Sequence, residues 1–247
     1  MPRFFTENIS GDTALITGPD ARHIGRVLRM AVGENIVLCD LKGQDYHCQI
    51  ENIQKDAVSC RILSTCPSVG EPDCQVTLYQ AFPKGDKMDF IIQKAVELGV
   101  SRVVPVLTRR CVARPDPKAM TGKLARFSRI ALEAAKQSGR GRIPQVGEVL
   151  TFEEALEDME RRGFDFKLVP YENQEGMAAT KRIFDSLKPG MSVAVMIGPE
   201  GGFDPLEIEK AQEAGAEPIS LGRRILRTET AAVTMLSALM LKLEEGI

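Results

Sequence analysis

The 247-residue sequence contains no tryptophan, only two histidines, and six cysteines that never form a C-x-x-C pair. Structural zinc sites need closely spaced cysteine and histidine ligands, so we expect no metal site. The sequence also lacks both glycine-rich fingerprints of nucleotide phosphate binding, G-x-G-x-x-G and G-x-x-x-x-G-K-[ST]. No long apolar segment occurs, including at Met1–Phe5, so we expect a cytoplasmic protein with reduced cysteines and no membrane segment.

Acidic residues are scarce in the middle of the chain. Residues 73–145 contain 14 Lys and Arg against 6 Asp and Glu, whereas residues 146–247 contain 11 against 19. The net charge of the whole chain is only −2. A basic region between acidic flanks predicts a local surface for a polyanion. A solvated basic surface without a partner is the alternative interpretation.

The most informative segment is a glycine-rich loop, Ile197–Phe203. It follows the apolar run Val193–Ile197, which predicts a buried strand. It precedes Asp204–Glu207, where an N-cap aspartate, a proline and a capping-box glutamate predict a helix start. Ligands of α/β proteins bind between a strand end and a helix start, where glycines allow close backbone approach. Glu200 disfavours a di- or triphosphate and favours a neutral or cationic ligand, although bracing the loop is its alternative role.

A second loop follows the same pattern. Residues Pro218–Gly222 predict a short strand that ends in a turn, and Arg223–Thr230 follow it. Ala231–Leu241 is apolar or small on nearly every side and too short to span a bilayer, which predicts a buried helix. Two such loops followed by a buried helix would form a pocket for one small ligand.

The hydrophobic patterns divide the chain into two domains, 1–72 and 73–247. The first has short alternating runs at 13–16, 35–39, 46–50 and 57–63 and a helix at 19–28, which predict a small β-barrel. Residues 67–73 form the linker. The second predicts a mostly parallel sheet with helices on both faces. Its strands are predicted at 76–82, 102–108, 166–170, 193–197 and 217–221, and its helices at 87–98, 118–138, 178–187, 205–214 and 230–243.

Several ordered segments together resemble one known family. The glycine-rich loop and Leu221–Ala231 are similar to the cofactor loops of the knotted SPOUT methyltransferases, particularly the RsmE group, which methylates N3 of a uridine in small-subunit ribosomal RNA. The resemblance covers essentially the whole chain. The family often has a tryptophan between Arg126 and Glu133, and we expect Phe127 to take over its packing role. The other matching segments are Arg22–Arg29, Lys84–Asp89, Gln93–Gly99 and Glu133–Arg140.

The resemblance implies a fold and a cofactor. The fold is a knotted α/β domain preceded by a PUA-like RNA-binding barrel, in a homodimer. The cofactor is S-adenosylmethionine, whose sulfonium is compatible with the carboxylate of Glu200. Its adenine needs an apolar slot with backbone hydrogen bonds, which the two loops can supply. The cofactor-binding residues expected on this basis are Pro170, Tyr171, Ile197, Gly198, Pro199, Glu200, Gly201, Gly202, Leu221, Gly222, Ile225, Leu226, Arg227, Thr228 and Ala231.

The chemistry implied by the resemblance needs a cation near the substrate. Uridine N3 is a poor nucleophile while it keeps its proton, so the charge that develops on O2 and O4 must be stabilised. Arg227 is the first catalytic candidate because it lies in the cofactor loop, and an ion pair with Glu229 is its alternative role. The next candidates are Arg126, Arg129 and Arg140. The domain 73–247 contains no histidine, so the general base is not identified. The uridine must be unpaired or flipped out of a duplex.

The implied partner is 16S ribosomal RNA or the small ribosomal subunit. Arginine and lysine side chains would bind its phosphates, and for the three N-terminal arginines a solvated helix face is the alternative. Three other functions remain consistent with the sequence: methylation of a ribose 2′-oxygen or a guanine by a SPOUT enzyme, a catalytically silent assembly factor, and an α/β enzyme for a small metabolite. The candidate RNA contacts are Arg22, Arg26, Arg29, Lys84, Arg109, Arg110, Arg114, Arg126, Arg129 and Arg140.

Overall fold

The computed structural model describes residues 1–174 and 176–245, and the chain divides into two compact units. The first unit contains Met1–Glu71 and Ala135–Ile143, and the second contains Pro72–Ala134 and the residues from Pro144 onward. The break after Glu71 lies one residue from the boundary that we predicted. Residues 135–143, which we placed in the second domain, belong to the first unit.

The first unit is built around a six-stranded sheet. Its strands are β1 (Arg3–Phe5), β2 (Ile9–Ser10), β3 (Thr13–Thr17), β4 (Asn35–Cys39), β5 (Gln44–Ile53) and β6 (Ala57–Pro67). They follow the order β1-β4-β5-β6-β3-β2, in which β1 and β4 are parallel and the other pairs are antiparallel. The sequence pattern predicted β3 to β6 but missed the two short strands. The core of this unit includes Ile16, Ile24, Ile36, Leu38 and Ile50, which are almost completely buried.

The helix predicted at 19–28 has two parts. The segment α1 (Pro19–Arg22) is α-helical, and His23–Val27 continues it as a π-helical segment. The N–H of Leu28 donates to the carbonyl of His23 at 2.9 Å, five residues earlier. This wider turn changes which residues share a face, because the α-helical spacing of three and four residues no longer applies.

The segment 135–143 is fixed within the first unit by one carboxylate. Glu71 Oε1 accepts hydrogen bonds from Arg140 Nε at 2.8 Å and from the backbone N–H groups of Gly141 at 2.8 Å and Arg142 at 3.0 Å. The side chain of Arg140 is only 4% exposed. Arg140 is therefore a structural residue, and we remove it from the candidate phosphate contacts.

The second unit contains a seven-stranded sheet in which all strand pairs are parallel. Its strands are β7 (Gln75–Ala81), β8 (Arg102–Leu107), β9 (Gln145–Val146), β10 (Leu150–Thr151), β11 (Phe166–Pro170), β12 (Ser192–Ile197) and β13 (Glu217–Ile219). The order is β10-β8-β7-β12-β11-β13, and β9 pairs with β8. The predicted parallel sheet is confirmed. Within it, β11 lies between β12 and β13, so the ends of these three strands are neighbours.

Helices alternate with these strands along the chain. They are α2 (Lys87–Glu97), α3 (Pro117–Ser138), α4 (Phe152–Arg162), α5 (Ala178–Ser186), α6 (Pro205–Glu213) and α7 (Thr228–Glu245). The predicted start of α6 is confirmed, because Asp204 is the N-cap and forms a capping box with Glu207. Phe127 is 2% exposed and packs against Phe82, and its replacement of the family's tryptophan stays a prediction. In the described residues, no helix is long and apolar enough to cross a membrane.

Candidate functional site

The loops that follow three neighbouring strands of the second unit enclose one cavity. They leave the carboxyl ends of β11, β12 and β13, where open parallel sheets bind ligands. The cavity has a volume of about 530 Å³. Every residue that we predicted to bind the cofactor lines it, and their contact with a cofactor remains a prediction. The cavity is also lined by residues that we did not assign, namely Lys87, Glu172, Phe203, Ser220, Arg223 and Arg224.

Two glycines shape the loop between β12 and α6. Gly202 has φ +65°, and a Cβ at this position would overlap a carboxylate oxygen of Glu172. A Cβ on Gly198 would lie 3.2 Å from the ring of Phe203. Phe203 is 1% exposed and packs against Phe152, so it anchors the loop in the core. A side chain at Gly202 would first displace Glu172, which the sequence alone did not indicate.

Glu200 braces the glycine-rich loop. Its Oε1 accepts hydrogen bonds from the Nζ of Lys87 at 2.9 Å and from the backbone N–H of Lys84 at 3.1 Å. The Nζ of Lys87 also lies 3.5 Å from Oε2 of Glu229. The bracing role, which we gave as the alternative for Glu200, is therefore the one that the structure shows. Lys87 lies in a segment that resembles the family, but nothing in the sequence indicated that its partner is more than a hundred residues away.

The ion pairs around Lys87 keep both signs of charge in the cavity wall. Hydrogen bonding to Glu200 raises the pKa of Lys87, and burial opposes this only in part. Burial raises the pKa of Glu200, but hydrogen bonds from Lys87 and from backbone N–H groups outweigh it, so the net pKa is lowered. Lys87 therefore keeps its proton and Glu200 its negative charge at neutral pH.

A hydrogen-bonded chain ties the glycine-rich loop to the first residue of α7. Thr228 Oγ1 donates to the carbonyl of Gly198 at 2.6 Å and accepts from Gln80 Nε2 at 2.9 Å. Gln80, at the end of β7, is completely buried. Within the described residues its Oε1 has no hydrogen-bond partner. A buried unsatisfied acceptor is unfavourable, which indicates that the position of the Gln80 amide is imposed by its two donated bonds.

The predicted catalytic residue, Arg227, lies in the cavity wall and is exposed. Its alternative role was an ion pair with Glu229, but the ion pair of Glu229 is made with Lys87. Across residues 1–174 and 176–245 the guanidinium of Arg227 has no ion-pair partner. Ile225, expected in an apolar slot, is 87% exposed and lies at the rim of the cavity instead.

The remaining candidate RNA contacts fall into three groups. Some already hold other parts of the fold: Arg114 donates to the carbonyl of Thr108 at 2.7 Å, and Arg110 donates to the carbonyl of Gly201 at 3.1 Å. Two others form surface ion pairs, Arg22 with Asp56 and Arg126 with Asp89. Arg109 is also exposed and forms an ion pair with Asp204 at 3.4 Å. Among the described residues, the exposed candidates without a side-chain ion pair are Arg26, Arg29, Lys84 and Arg129.

The described residues contain no cluster of three His, Cys, Asp or Glu side chains that could hold a metal ion. The functional groups at the cavity are thus charged side chains and backbone groups of the two loops. They suit a ligand with a flat apolar part, several hydrogen-bonding groups and a positive charge.

Comparisons with known proteins identify the family. A model of the RNA methyltransferase domain matches residues 70–240, and a model of the RNA methyltransferase PUA domain matches residues 16–63. Ribosomal RNA small subunit methyltransferase E of Bacillus subtilis is 36% identical to this chain, over 99% of the chain and 98% of that protein. The chain belongs to this methyltransferase E family.

Other members of the methyltransferase E family support the same assignment. The protein of Mycobacterium tuberculosis is 32% identical over 93% of this chain and 86% of its own length. A crystal structure of the Neisseria gonorrhoeae enzyme bound to S-adenosyl methionine has a TM-score of 0.84 and 34% identity, and covers all of both chains. A putative methyltransferase of Legionella pneumophila with bound SAM has a TM-score of 0.81 and 33% identity, over 96% of each chain.

Proposed function

We propose that this protein transfers a methyl group from S-adenosylmethionine to N3 of a uridine in 16S ribosomal RNA. One observation carries the proposal: the family's cofactor segments meet at a single cavity, at the carboxyl ends of β11, β12 and β13. The full-length similarity to methyltransferase E proteins supports the substrate class. The family membership disfavours the three alternative functions left open by the sequence.

The residues of the cavity fit S-adenosylmethionine. Gly198 and Gly202 let the loop pack tightly against Phe203 and Glu172, and Leu221 and Leu226 supply apolar surface for the adenine. The carboxylates of Glu172 and Glu200 are compatible with a sulfonium cation. Bound there, S-adenosylmethionine supplies the methyl group and leaves as S-adenosylhomocysteine.

The protein's own side chains would act on the uridine, by stabilising its developing charge, rather than on the cofactor. The N3 proton must leave as the new N–C bond forms, and negative charge spreads over O2 and O4. Arg227 is free to donate hydrogen bonds to one of these oxygens, which stabilises the charge as it develops. Lys87 and Glu200 hold each other in an ion pair, so we assign neither as the group that accepts the N3 proton.

RNA would be bound by the exposed arginines of the basic middle region, with additional contacts from the first unit, which matches a PUA domain model. We propose that the protein is a homodimer that acts in the cytoplasm, as the resemblance implies. Two exposed apolar side chains support a further interface: Phe90 on α2 is 45% exposed and Leu241 on α7 is 54% exposed. Sedimentation velocity at several concentrations tests the dimer.

Mapping the modified nucleotide tests the activity. Ribosomal RNA from cells with and without the gene is digested, and the nucleosides are identified by mass spectrometry. We expect 3-methyluridine at one 16S position to disappear with the gene and to return when purified protein and S-adenosylmethionine are added, with chelator present. Loss of a 2′-O-methyl or methylguanine mark instead would contradict the proposed target, and failure to bind S-adenosylmethionine would contradict the activity.

A further inference from the structure

Glu172 differs from the other carboxylates near the cavity in having no cation beside it. Glu200 lines the cavity and Glu229 lies behind it, and both are engaged by Lys87. Glu172 also lines the cavity, and in the part of the chain that the structure describes it forms no ion pair or hydrogen bond through its carboxylate. Its two oxygens are therefore available to a ligand.

The backbone that carries Glu172 is held in place. The N–H of Tyr171 donates to the carbonyl of Ile219 at 2.9 Å, and the N–H of Gln174 donates to the carbonyl of Tyr171 at 3.1 Å. The first bond continues the pairing of β11 with β13, and the second closes a turn directly after Glu172. The carboxylate is thus presented from a fixed turn at the end of a central strand rather than from a free loop.

The carboxylate rests on Gly202, a loop position that has no room for a side chain. A Cβ on Gly202 would overlap Oε1 of Glu172 and lie 3.0 Å from its Cδ. Since Gly202 also has φ +65°, glycine is favoured there twice, by backbone conformation and by the space that Glu172 occupies. The glycine and the glutamate together form a cradle that places two acceptor oxygens at the cavity wall.

We propose that Glu172 binds the cofactor by accepting hydrogen bonds from the ribose hydroxyls of S-adenosylmethionine, an inference that rests on the proposed function. Two neighbouring hydroxyls match the two oxygens of one carboxylate, and acidic side chains bind ribose in this way in other α/β folds. The amino acid end of the cofactor carries a carboxylate, for which the cavity offers Arg223 and Arg224 instead. Gly202 is then a positioning residue that keeps Glu172 in place.

Calorimetry with three ligands tests this assignment: S-adenosylhomocysteine, its 2′-deoxy analogue, and 5′-methylthioadenosine, which keeps the ribose but lacks the amino acid. We expect Glu172→Gln to weaken S-adenosylhomocysteine and 5′-methylthioadenosine by about tenfold each, as for loss of a charged acceptor. The parent should prefer S-adenosylhomocysteine over the 2′-deoxy analogue, and the variant should lose this preference. Glu209→Gln, an exposed glutamate on α6 outside the cavity, is the matched control and should bind like the parent.

The other possible outcomes of these titrations would contradict different parts of the proposal. Unchanged affinity in Glu172→Gln, or a preference for the 2′-hydroxyl that persists in it, would overturn the assignment. A loss seen with S-adenosylhomocysteine but not with 5′-methylthioadenosine would place Glu172 at the amino acid end and overturn it as well. A parent protein that binds none of the three ligands would instead contradict the proposed function. Gly202→Ala should weaken binding in the parent more than in Glu172→Gln, and equal effects would remove its positioning role.

Discussion

Lys87 places one ammonium group between two carboxylates that belong to different parts of the second unit. Glu200 lies in the glycine-rich loop, and Glu229 lies in the first turn of α7. With the lysine present, the two negative charges are compensated, and both segments are held against the start of α2. Removing the ammonium would leave two carboxylates facing each other beside the cofactor loop.

We expect Lys87→Met to weaken the binding of S-adenosylmethionine by about tenfold, or ~1.4 kcal/mol, because the loop loses its tether. Isothermal titration calorimetry measures this. Lys94→Met is the matched control: Lys94 also lies on α2, is also 32% exposed, and pairs with Glu97 on the same helix. The prediction fails if both variants bind the cofactor equally well.

Arg227 has the opposite character, since it is exposed and its charge is not committed to an acidic partner among the described residues. We expect Arg227→Ala to lower the single-turnover rate at least tenfold at saturating cofactor and RNA, with little change in either binding constant. An interaction made mainly in the transition state has this effect. Arg223→Ala, in the same loop, is the comparison. A rate within about threefold of the parent, under ~1 kcal/mol in barrier, would exclude Arg227 as a catalytic group.

Among the secondary-structure elements, α4 is held by a single buried carboxylate. Asp158 on α4 accepts hydrogen bonds from the hydroxyl of Tyr79 on β7 and from Nη1 of Arg102 on β8, both at 2.7 Å. It also accepts from Arg161 and Arg162, one turn along its own helix. Burial alone would raise the pKa of Asp158, but these hydrogen bonds outweigh it and hold the pKa well below its ordinary value.

We expect Asp158→Asn to destabilise the protein by about 3 kcal/mol at pH 7, because buried Arg102 loses its counter-charge. Urea denaturation measures the difference. A lowered pKa in the folded state contributes stability above the unfolded pKa of about 3.9, and this is lost as the pH falls toward the folded value. The difference between parent and variant in the free energy of unfolding should therefore become smaller below about pH 4. A difference that does not change with pH would contradict this account.

Local signals predicted some elements well and others not at all. The capping box of α6 was visible because caps depend on residues three or four apart. The same logic applies to α4, where Thr151 and Glu154 form a capping box and Gly163 ends the helix at φ +65°. Its buried residues Phe152, Ala155 and Met159 also recur at helical spacing, yet we did not predict this helix. The pairing of Lys87 with Glu200 was not predictable, because periodicity carries no information about distant charges.

At the scale of the whole molecule, the arginines of the basic middle region, residues 73–145, do not all have the same role. Arg110, Arg114 and Arg140 each hold backbone or carboxylate groups of the protein itself. Composition could predict the excess of positive charge, but it could not separate structural arginines from exposed ones. The trefoil knot and the homodimer likewise remain predictions, since no local pattern encodes them.

The exposed arginines of the basic middle region lead to a prediction about the salt dependence of RNA binding. Replacing Arg109 and Arg129 together by alanine should weaken RNA binding and flatten the slope of log K against log salt by about 2, one unit for each lost phosphate contact. Arg109 pairs with Asp204 at 3.4 Å, but its side chain is 66% exposed, so loss of this surface pair should leave the fold intact. Arg182→Ala is the control for overall charge, because Arg182 is an exposed residue on α5 in the acidic region 146–247. A slope equal to the parent's would move the RNA surface elsewhere.

Glu207 connects two loops that we assign to different ligands. Its Oε2 accepts from the backbone N–H of Asp204 at 2.9 Å, next to the glycine-rich loop, and its Oε1 accepts from the backbone N–H of Arg109 at 2.7 Å. The carboxylate is 7% exposed, so both bonds are shielded from water. Ordering either loop would reduce the entropy that the other loses on binding its own ligand. Thermodynamic reciprocity then requires that the cofactor tighten RNA binding by the same factor by which RNA tightens the cofactor, so the enzyme would hold its methyl donor most firmly when the substrate is present.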